Sequence, residues 1–239
     1  EPGASIVLAH RGELVAQMSL ALAREKVRHR VIGPPALARL CVNAHIAELQ
    51  MSFVNPNAKT AVGSVQSVAN YKDGGWFDQV RLWVMDEAHH LLKNGQFGKA
   101  IARFKNARGL GVTATPGRAD GAGLGRHADG VFDAMVMGPT PRDLIDRGFL
   151  SPYKIFAPPS TLDLSQVRVT VSGDYSPPEL KTATQKSTVL GDTVTHYCKH
   201  ARGMSGLTFA DSIDNAIDIA ARFRAAGVSA EVLTGKTQD

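Results

Sequence analysis

Two adjacent carboxylates and two histidines directly follow a short apolar run near the middle of the chain. The run is Leu82-Trp83-Val84-Met85, and Asp86-Glu87-Ala88-His89-His90 comes next. An apolar run with β-branched and aromatic members predicts a buried strand, and carboxylates at its carboxyl end lie where open α/β sheets bind ligands. Asp86 could coordinate Mg²⁺ there, and Glu87 could orient or deprotonate a water molecule. A lone Asp-Glu pair is more often a strand that ends in solvated charge, so the interpretation depends on the other motifs.

Three further apolar runs end in polar residues that suit phosphate chemistry. The segments that follow them are His10-Arg11-Gly12, Ser64-Val65-Gln66-Ser67 and Thr113-Ala114-Thr115-Pro116. Side chains and backbone N–H groups at strand-to-helix junctions can contact phosphates without reading sequence. Hydroxyls on a loop can form a hydrogen bond in one conformational state and release it in another.

In this order, the four motifs resemble the motor core of superfamily-2 helicases of the DEAD/DEAH-like group. The closest likeness is to the DNA helicases of phages and prophages, which share a core with the motor subunits of restriction enzymes. The resemblance covers nearly the whole chain. It implies an α/β fold, with a RecA-like parallel sheet flanked by helices and the start of a second RecA-like domain. It also implies ATP and Mg²⁺ as cofactors.

The resemblance carries a role for each motif residue. It makes Asp86 the Mg²⁺ ligand, Glu87 the group that polarises water, and His89 the bridge to the next motif. It assigns the coupling of hydrolysis to domain movement to Thr113 and Thr115. It assigns nucleic-acid binding to His10, Arg11, Ser64 and Gln66, which together form the nucleic-acid track. The structural alternatives are a satisfied histidine, a threonine-rich turn, a surface arginine and an N-capping serine. His90 is expected in packing or at the surface, because its spacing from His89 is not that of a zinc protease.

Composition indicates an ordinary globular protein with a mild preference for polyanions. The 239 residues are 44% hydrophobic and 21% charged, and 27 basic against 22 acidic residues give a net charge of +5. This charge suits nucleic acid without requiring it. Cys41 and Cys198 lie far apart and form no metal motif, so a reducing cytoplasm is expected. We expect no membrane partner, because no apolar run reaches spanning length and no signal-peptide pattern opens the chain.

Strand and helix patterns alternate, which predicts a mainly parallel sheet with helices on both faces. The pattern predicts a helix from about residue 10 to 30 and another over 36–50. The break at Gly138-Pro139-Thr140-Pro141 divides the chain into residues 1–140, a first helicase domain, and 141–239, a linker with the beginning of a second. In the second part we expect strands over 207–210 and 228–233, with an amphipathic helix over 213–226 between them. Phe209 resembles part of the opening motif of a second motor domain.

One element of such motors is missing from these residues. The chain contains no Gly-x-x-x-x-Gly-Lys-Ser/Thr loop, and Gly235-Lys236-Thr237 has Ala230 where the first glycine is needed. We therefore expect the middle part of a longer ATP-dependent helicase or translocase, inactive in ATP hydrolysis by itself. We expect it to act on nucleic acid, with single-stranded or forked DNA favoured and RNA left open. Two alternatives remain open: the motor of a restriction or remodelling complex that does not separate strands, and a non-catalytic nucleic-acid-binding module.

Overall fold

The computed structural model describes residues 3–72, 75–117, 123–128, 130–157, 162–170, 175–186, 189–235 and 237. Backbone contacts divide the chain into two compact units, Glu1–Met137 and Gly138–Asp239. Among the described residues, no helix has both the length and the apolar character needed to cross a bilayer.

The first unit is built on a five-stranded parallel sheet. The strands are β1 (Ala4–Ala9), β2 (His29–Ile32), β3 (Thr60–Ser64), β4 (Val80–Met85) and β5 (Arg108–Gly111). Their spatial order is β2-β3-β1-β4-β5, and every pair is parallel. The predicted α/β class with a RecA-like parallel sheet is confirmed.

Helices cover both faces of this sheet because the side chains of its central strand alternate between two apolar clusters. Ile6 and Leu8 lie in one cluster with residues of α3 (Val65–Asn70) and α4 (Gln96–Ile101). Val7 and Ala9 lie in the other, against α1 (Gly12–Arg24) and α2 (Pro35–Leu49). A strand that is apolar on both sides is expected at the centre of a parallel sheet covered twice.

The prediction of one helix over residues 10–30 is wrong in its last six residues. Helix α1 ends at Arg24, and Lys26 adopts a left-handed φ of 59°. The chain then turns, and residues from His29 onward pair with β3 as the edge strand β2. The helical spacing of apolar residues continues past Arg24, but pairing with a neighbouring strand outweighs that local pattern.

In the described part of the second unit, the regular secondary structure consists of helices. Its helices are α5 (Pro141–Asp146), α6 (Pro177–Lys186), α7 (Val189–His200) and α8 (Ile213–Ala225). Helices α7 and α8 pack through Val194, Ile219 and Phe223, and the Tyr197 ring meets the Phe223 ring edge-on at 5.2 Å. The predicted helix over 213–226 is confirmed, with Ser212 as its N-cap and Gly227 at a left-handed φ of 75° after its end.

The two strands predicted beside α8 do not form. Residues 207–210 and 228–233 belong to no strand in this structure. In the described part of the unit, the single β-type contact is an isolated bridge between Val169 and Tyr175. A strand exists only when a neighbour accepts its hydrogen bonds, and these segments have no such neighbour among the described residues. As a result, Leu207 is 72% exposed and Phe209 88% exposed.

Candidate nucleotide and nucleic-acid site

Strand register brings the four sequence motifs to one edge of the first unit's sheet. Ala9 lies opposite Ser64, Leu8 opposite Met85, and Met85 opposite Gly111. The residues that follow these positions are His10, Val65, Asp86 and Val112. All leave the sheet at its carboxyl edge, which is the ligand-binding edge of open parallel sheets.

The loop after β4 begins with a backbone conformation that is rare outside glycine. Asp86 continues the ladder, because its N–H donates to the carbonyl of Leu8 at 3.0 Å. Glu87 then takes a left-handed φ of 52°, and a single turn of 3₁₀ helix follows at Ala88–His90. Asp86 Oδ1 accepts the Glu87 N–H at 2.9 Å. Positive φ at a residue with a side chain is uncommon and concentrates at functional sites.

The loops after β4 and β5 are joined by backbone and side-chain hydrogen bonds. The Ala88 N–H donates to the carbonyl of Val112 at 3.0 Å. His89 Nδ1 lies 2.8 Å from Thr113 Oγ1 and 3.5 Å from Thr115 Oγ1. The Thr113 hydroxyl donates to the Thr115 carbonyl at 3.2 Å and accepts the Thr115 N–H at 3.2 Å.

These contacts determine which nitrogen of His89 carries a proton. The single hydroxyl proton of Thr113 points to a carbonyl, so Thr113 Oγ1 must accept from His89, and Nδ1 is the donor. The same Nδ1 lies 3.3 Å from Glu87 Oε2. His89 therefore lies between the carboxylate of one loop and the hydroxyls of the next.

A cleft of about 440 Å³ opens beside this hydrogen-bonded pair of loops. The residues that line it are His10, Arg11, Glu13, Leu14, Glu87, His89 and His90. Arg11 is exposed and precedes the first turn of α1. The Nδ1 atom of His10 is buried and lacks a hydrogen-bond partner among the described residues. The cleft therefore brings the Arg11 cation, the His10 ring and the Glu87 carboxylate together at the carboxyl edge.

Glu13, Leu14 and His90 line the cleft although the sequence assigned them no functional role. The His90 ring lies 4.0 Å from that of His89, 5.9 Å from His10 and 5.8 Å from Phe97, measured between ring centroids. Partial burial, helped by the charges of His89 and His10, holds the pKa of His90 below its ordinary value, against the opposing effect of Glu87. Glu13 could have been found by its position in the first turn of α1, one helical turn from His10.

Ser64 and Gln66 have structural partners of their own. The Ser64 hydroxyl accepts the Ser67 N–H at 3.2 Å and donates to Ser67 Oγ at 2.7 Å, so Ser64 is the N-cap of α3. Gln66 Nε2 donates to the carbonyl of His10 at 3.2 Å and joins the first two motifs. Both residues lie at the carboxyl edge of the sheet, but neither lines the cleft that contains His10 and Glu87.

The carboxylate oxygens at this edge suit Mg²⁺ binding only if substrate phosphates supply further ligands. Among the described residues, no group of three or more His, Cys, Asp and Glu side chains is arranged to hold a metal ion. Mg²⁺ in nucleotide sites is commonly held by one or two carboxylates together with substrate phosphates and water. The Asp86 carboxylate suits that shared role and does not form a metal cage with its neighbours.

Comparison with known proteins supports the helicase resemblance for the first unit. Residues 3–118 match the family described as "Type III restriction enzyme, res subunit". The matched range includes the whole five-stranded sheet and all four motifs. The resemblance to superfamily-2 helicases drawn from those motifs is confirmed over residues 3–118.

Individual relatives cover only part of the chain. A "51.5 kDa protein" of Lactococcus phage (isolate 7-9) is 35% identical over 156 residues, which is 65% of this chain and 33% of that protein. The chain thus spans 33% of this relative's length. Among solved structures, the UvsW helicase from bacteriophage T4 aligns over 46% of this chain and 37% of its own, with 17% identity and a TM-score of 0.33. A second structure of T4 UvsW aligns over 46% and 21%, with 18% identity and a TM-score of 0.33.

Proposed function

We propose that this chain is part of an ATP-dependent superfamily-2 motor that moves on nucleic acid, with DNA as the preferred substrate. The observation that carries the proposal is the His89–Thr113 hydrogen bond of 2.8 Å. It joins the acidic loop after β4 to the threonine loop after β5. A contact between a candidate hydrolytic loop and a second loop is what coupling of hydrolysis to movement requires.

The residues of the acidic loop divide the chemistry between them. Asp86 holds Mg²⁺ with the nucleotide phosphates, and Glu87 orients and polarises the attacking water. His89 Nδ1 lies 3.3 Å from Glu87 Oε2 and donates to Thr113 Oγ1, so a movement of Glu87 would change the His89–Thr113 hydrogen bond. When bound, Mg-ATP supplies the phosphoanhydride bond and neutralises the charge of its own phosphates. Catalysis of this kind consists mainly of positioning and electrostatics, which side chains at the carboxyl edge of a sheet can supply.

The nucleic-acid track in this proposal runs over the first and second motifs. Arg11 is exposed at the start of α1, and the Gln66–His10 hydrogen bond holds the two motifs together. Contacts from such positions reach phosphates, so they fix the strand without reading its sequence. The net charge of +5 favours the same partner.

Arg11→Ala tests this track, with Arg108→Ala as the matched control. Arg108 is also exposed, but it begins β5 at the opposite edge of the sheet. Binding of fluorescent single strands of unrelated sequence, in both DNA and RNA, would be measured from 50 to 200 mM salt. Arg11→Ala should weaken binding about equally for all sequences and reduce the log–log salt slope by about 1. A strong sequence preference, or equal effects of the two variants, would remove Arg11 from the track.

A second function has specific support from the family match. The match to a restriction-enzyme subunit favours the alternative drawn from the sequence, a motor of a restriction complex that translocates without separating strands. In a protein that carries these residues together with a phosphate-binding loop, triplex displacement would report translocation and a forked duplex would report unwinding. Triplex displacement with an intact fork would favour the restriction-type motor, whereas ATP-dependent fork opening would favour the helicase.

A further inference from the structure

The second unit carries exposed aromatic rings on a segment that follows α5. Phe149 is 73% exposed, Tyr153 66% and Phe156 54%. Ile155 between them is 78% exposed. Aromatic side chains normally bury most of their surface. Three of them within eight residues, all more than half exposed, indicate a surface that binds a partner.

The start of this segment is held firmly to α5. Gly148 adopts a left-handed φ of 77°, and the N–H groups of Phe149 and Leu150 donate to the carbonyl of Leu144 at 2.8 and 3.2 Å. Helix α5 begins with a capping box in which Thr140 and Asp143 exchange hydrogen bonds. The aromatic segment therefore leaves the helix in a defined direction.

The end of the segment is held by a column of stacked rings. The Phe156 ring stacks on the His200 ring with centroids 4.0 Å apart and an interplanar angle of 18°. The His200 ring lies 5.8 Å from that of His196, at 11° to it. His196 and His200 are one helical turn apart on α7, so the helix holds the column in place. With one face on His200 and 54% of its surface exposed, Phe156 presents its other face to solvent.

Positive charge surrounds the exposed rings. Lys154 stands two residues before Phe156, and Lys199 immediately precedes His200; both are exposed. Across the residues that the structure describes, neither lysine forms an ion pair. The Arg147 guanidinium carbon lies 6.0 Å from the centre of the Phe149 ring. Aromatic faces interleaved with unpaired cations are the features that bind single strands, because bases stack on the rings and phosphates meet the charges.

We infer that Phe156, supported by His200 and flanked by Lys154 and Lys199, is a stacking platform for an unpaired base of a single-stranded nucleic acid. The inference rests on the proposed function and adds to it a contact with the bases. Stacking tolerates any sequence, because every base has a π-face. The platform would therefore leave binding sequence-tolerant while making it depend on the presence of bases.

The test compares two single strands of equal length and charge. Anisotropy with the 239-residue chain would measure binding of a fluorescein-labelled oligothymidylate and of the same strand with abasic residues. The wild-type chain should bind the strand with bases about 5–100-fold more tightly. Phe156→Leu should lose most of that preference while its affinity for the abasic strand stays unchanged, and Phe156→Tyr should restore it. Phe209→Leu is the matched control, because it removes a still more exposed phenylalanine that lies beside α8.

Salt dependence separates the role of the ring from that of the charges. Phe156→Leu should weaken binding without changing the log–log salt slope, whereas Lys154→Gln should reduce the slope by about 1. Far-ultraviolet circular dichroism and thermal melting would establish that each variant is folded.

Equal affinity of the wild-type chain for the two strands, or an unchanged preference in Phe156→Leu, would overturn the platform while leaving the proposed function intact. If Phe156 binds a protein partner instead of a base, Phe156→Leu should leave the preference for the strand with bases unchanged. No binding of either strand would overturn the platform and the nucleic-acid part of the proposed function together.

Discussion

Ser19→Ala is expected to destabilise the first unit strongly, because Ser19 is the centre of a buried polar network. Ser19, His29 and His45 are each fully buried. Ser19 Oγ lies 2.7 Å from His29 Nε2 and 3.0 Å from His45 Nε2. The network joins α1, β2 and α2, so its loss affects the packing of all three.

The outer contacts of the network assign every proton in it. His29 Nδ1 lies 2.9 Å from the carbonyl of Val27 and must donate to it, which leaves Nε2 as an acceptor. The Phe53 N–H donates to His45 Nδ1 at 3.2 Å, which leaves the proton of His45 on Nε2. Ser19 therefore donates to His29 and accepts from His45. Both imidazoles are neutral in this arrangement, and they are different tautomers.

The loss of unfolding free energy in Ser19→Ala follows from the two groups that alanine would leave without a hydrogen-bond partner. The acceptor Nε2 of His29 and the donor Nε2–H of His45 would each remain buried and unsatisfied, at about 1–3 kcal/mol apiece. We expect a loss of about 2–6 kcal/mol, a large part of the 5–15 kcal/mol typical of a native protein. Gln17→Ala, an exposed change on the same helix, should stay within about 0.5 kcal/mol.

Tryptophan fluorescence during urea unfolding is the appropriate assay. The chain has two tryptophans, and both, Trp76 and Trp83, lie in the core of the first unit. Their emission therefore reports on that unit alone. Similar unfolding midpoints for Ser19→Ala and Gln17→Ala would refute the argument that Ser19 satisfies both histidines.

The same network predicts a loss of stability in acid. Burial lowers the pKa of His29, with a further contribution from His45, and burial also lowers the pKa of His45. The unfolded chain, with histidine pKa values near ~6.5, then binds protons more readily than the folded chain. The contribution to stability is present above pH ~6.5 and is lost as the pH falls from there through the lowered folded values. Unfolding midpoints from pH 7.5 to 5 would show this decline, and ¹⁵N shifts of the imidazoles would report the two tautomers; identical tautomers would contradict the proton assignment.

Two other expected outcomes concern the carboxyl edge of the sheet. In a protein that carries these residues with a phosphate-binding loop, Glu87→Gln should retain nucleotide binding and lose most phosphate release, because it preserves shape and removes the charge that polarises water. Asp86→Asn should weaken Mg-nucleotide binding as well, and normal turnover by Glu87→Gln would exclude Glu87 from that role. Gly111→Ala should destabilise the first unit by about 1–3 kcal/mol through overpacking. The new methyl carbon would lie 2.7 Å from Ala88 Cβ and would overlap the Phe132 ring, so an unchanged urea midpoint would argue against this packing.

Local sequence was sufficient to locate the four motifs of the first unit, because each of them directly follows a short apolar strand. Strand β4 before Asp86-Glu87 and strand β3 before Ser64 were predicted from residues adjacent in the chain, and the N-cap role of Ser64 was the structural alternative to nucleic-acid contact. Parallel strands place their carboxyl ends at one edge, so these motifs were expected to meet there.

Tertiary structure decided everything that depends on residues distant in sequence. Strand β2 exists because His29–Ile32 pairs with β3, although its first two residues belong to the helix predicted over 10–30. The left-handed φ of Glu87 and the His89–Thr113 hydrogen bond arise from the way the loops after β4 and β5 pack together. Residues 207–210 have a strand-like pattern, yet they form no strand in this structure, because hydrogen bonds to a neighbouring strand create a strand and a pattern alone does not.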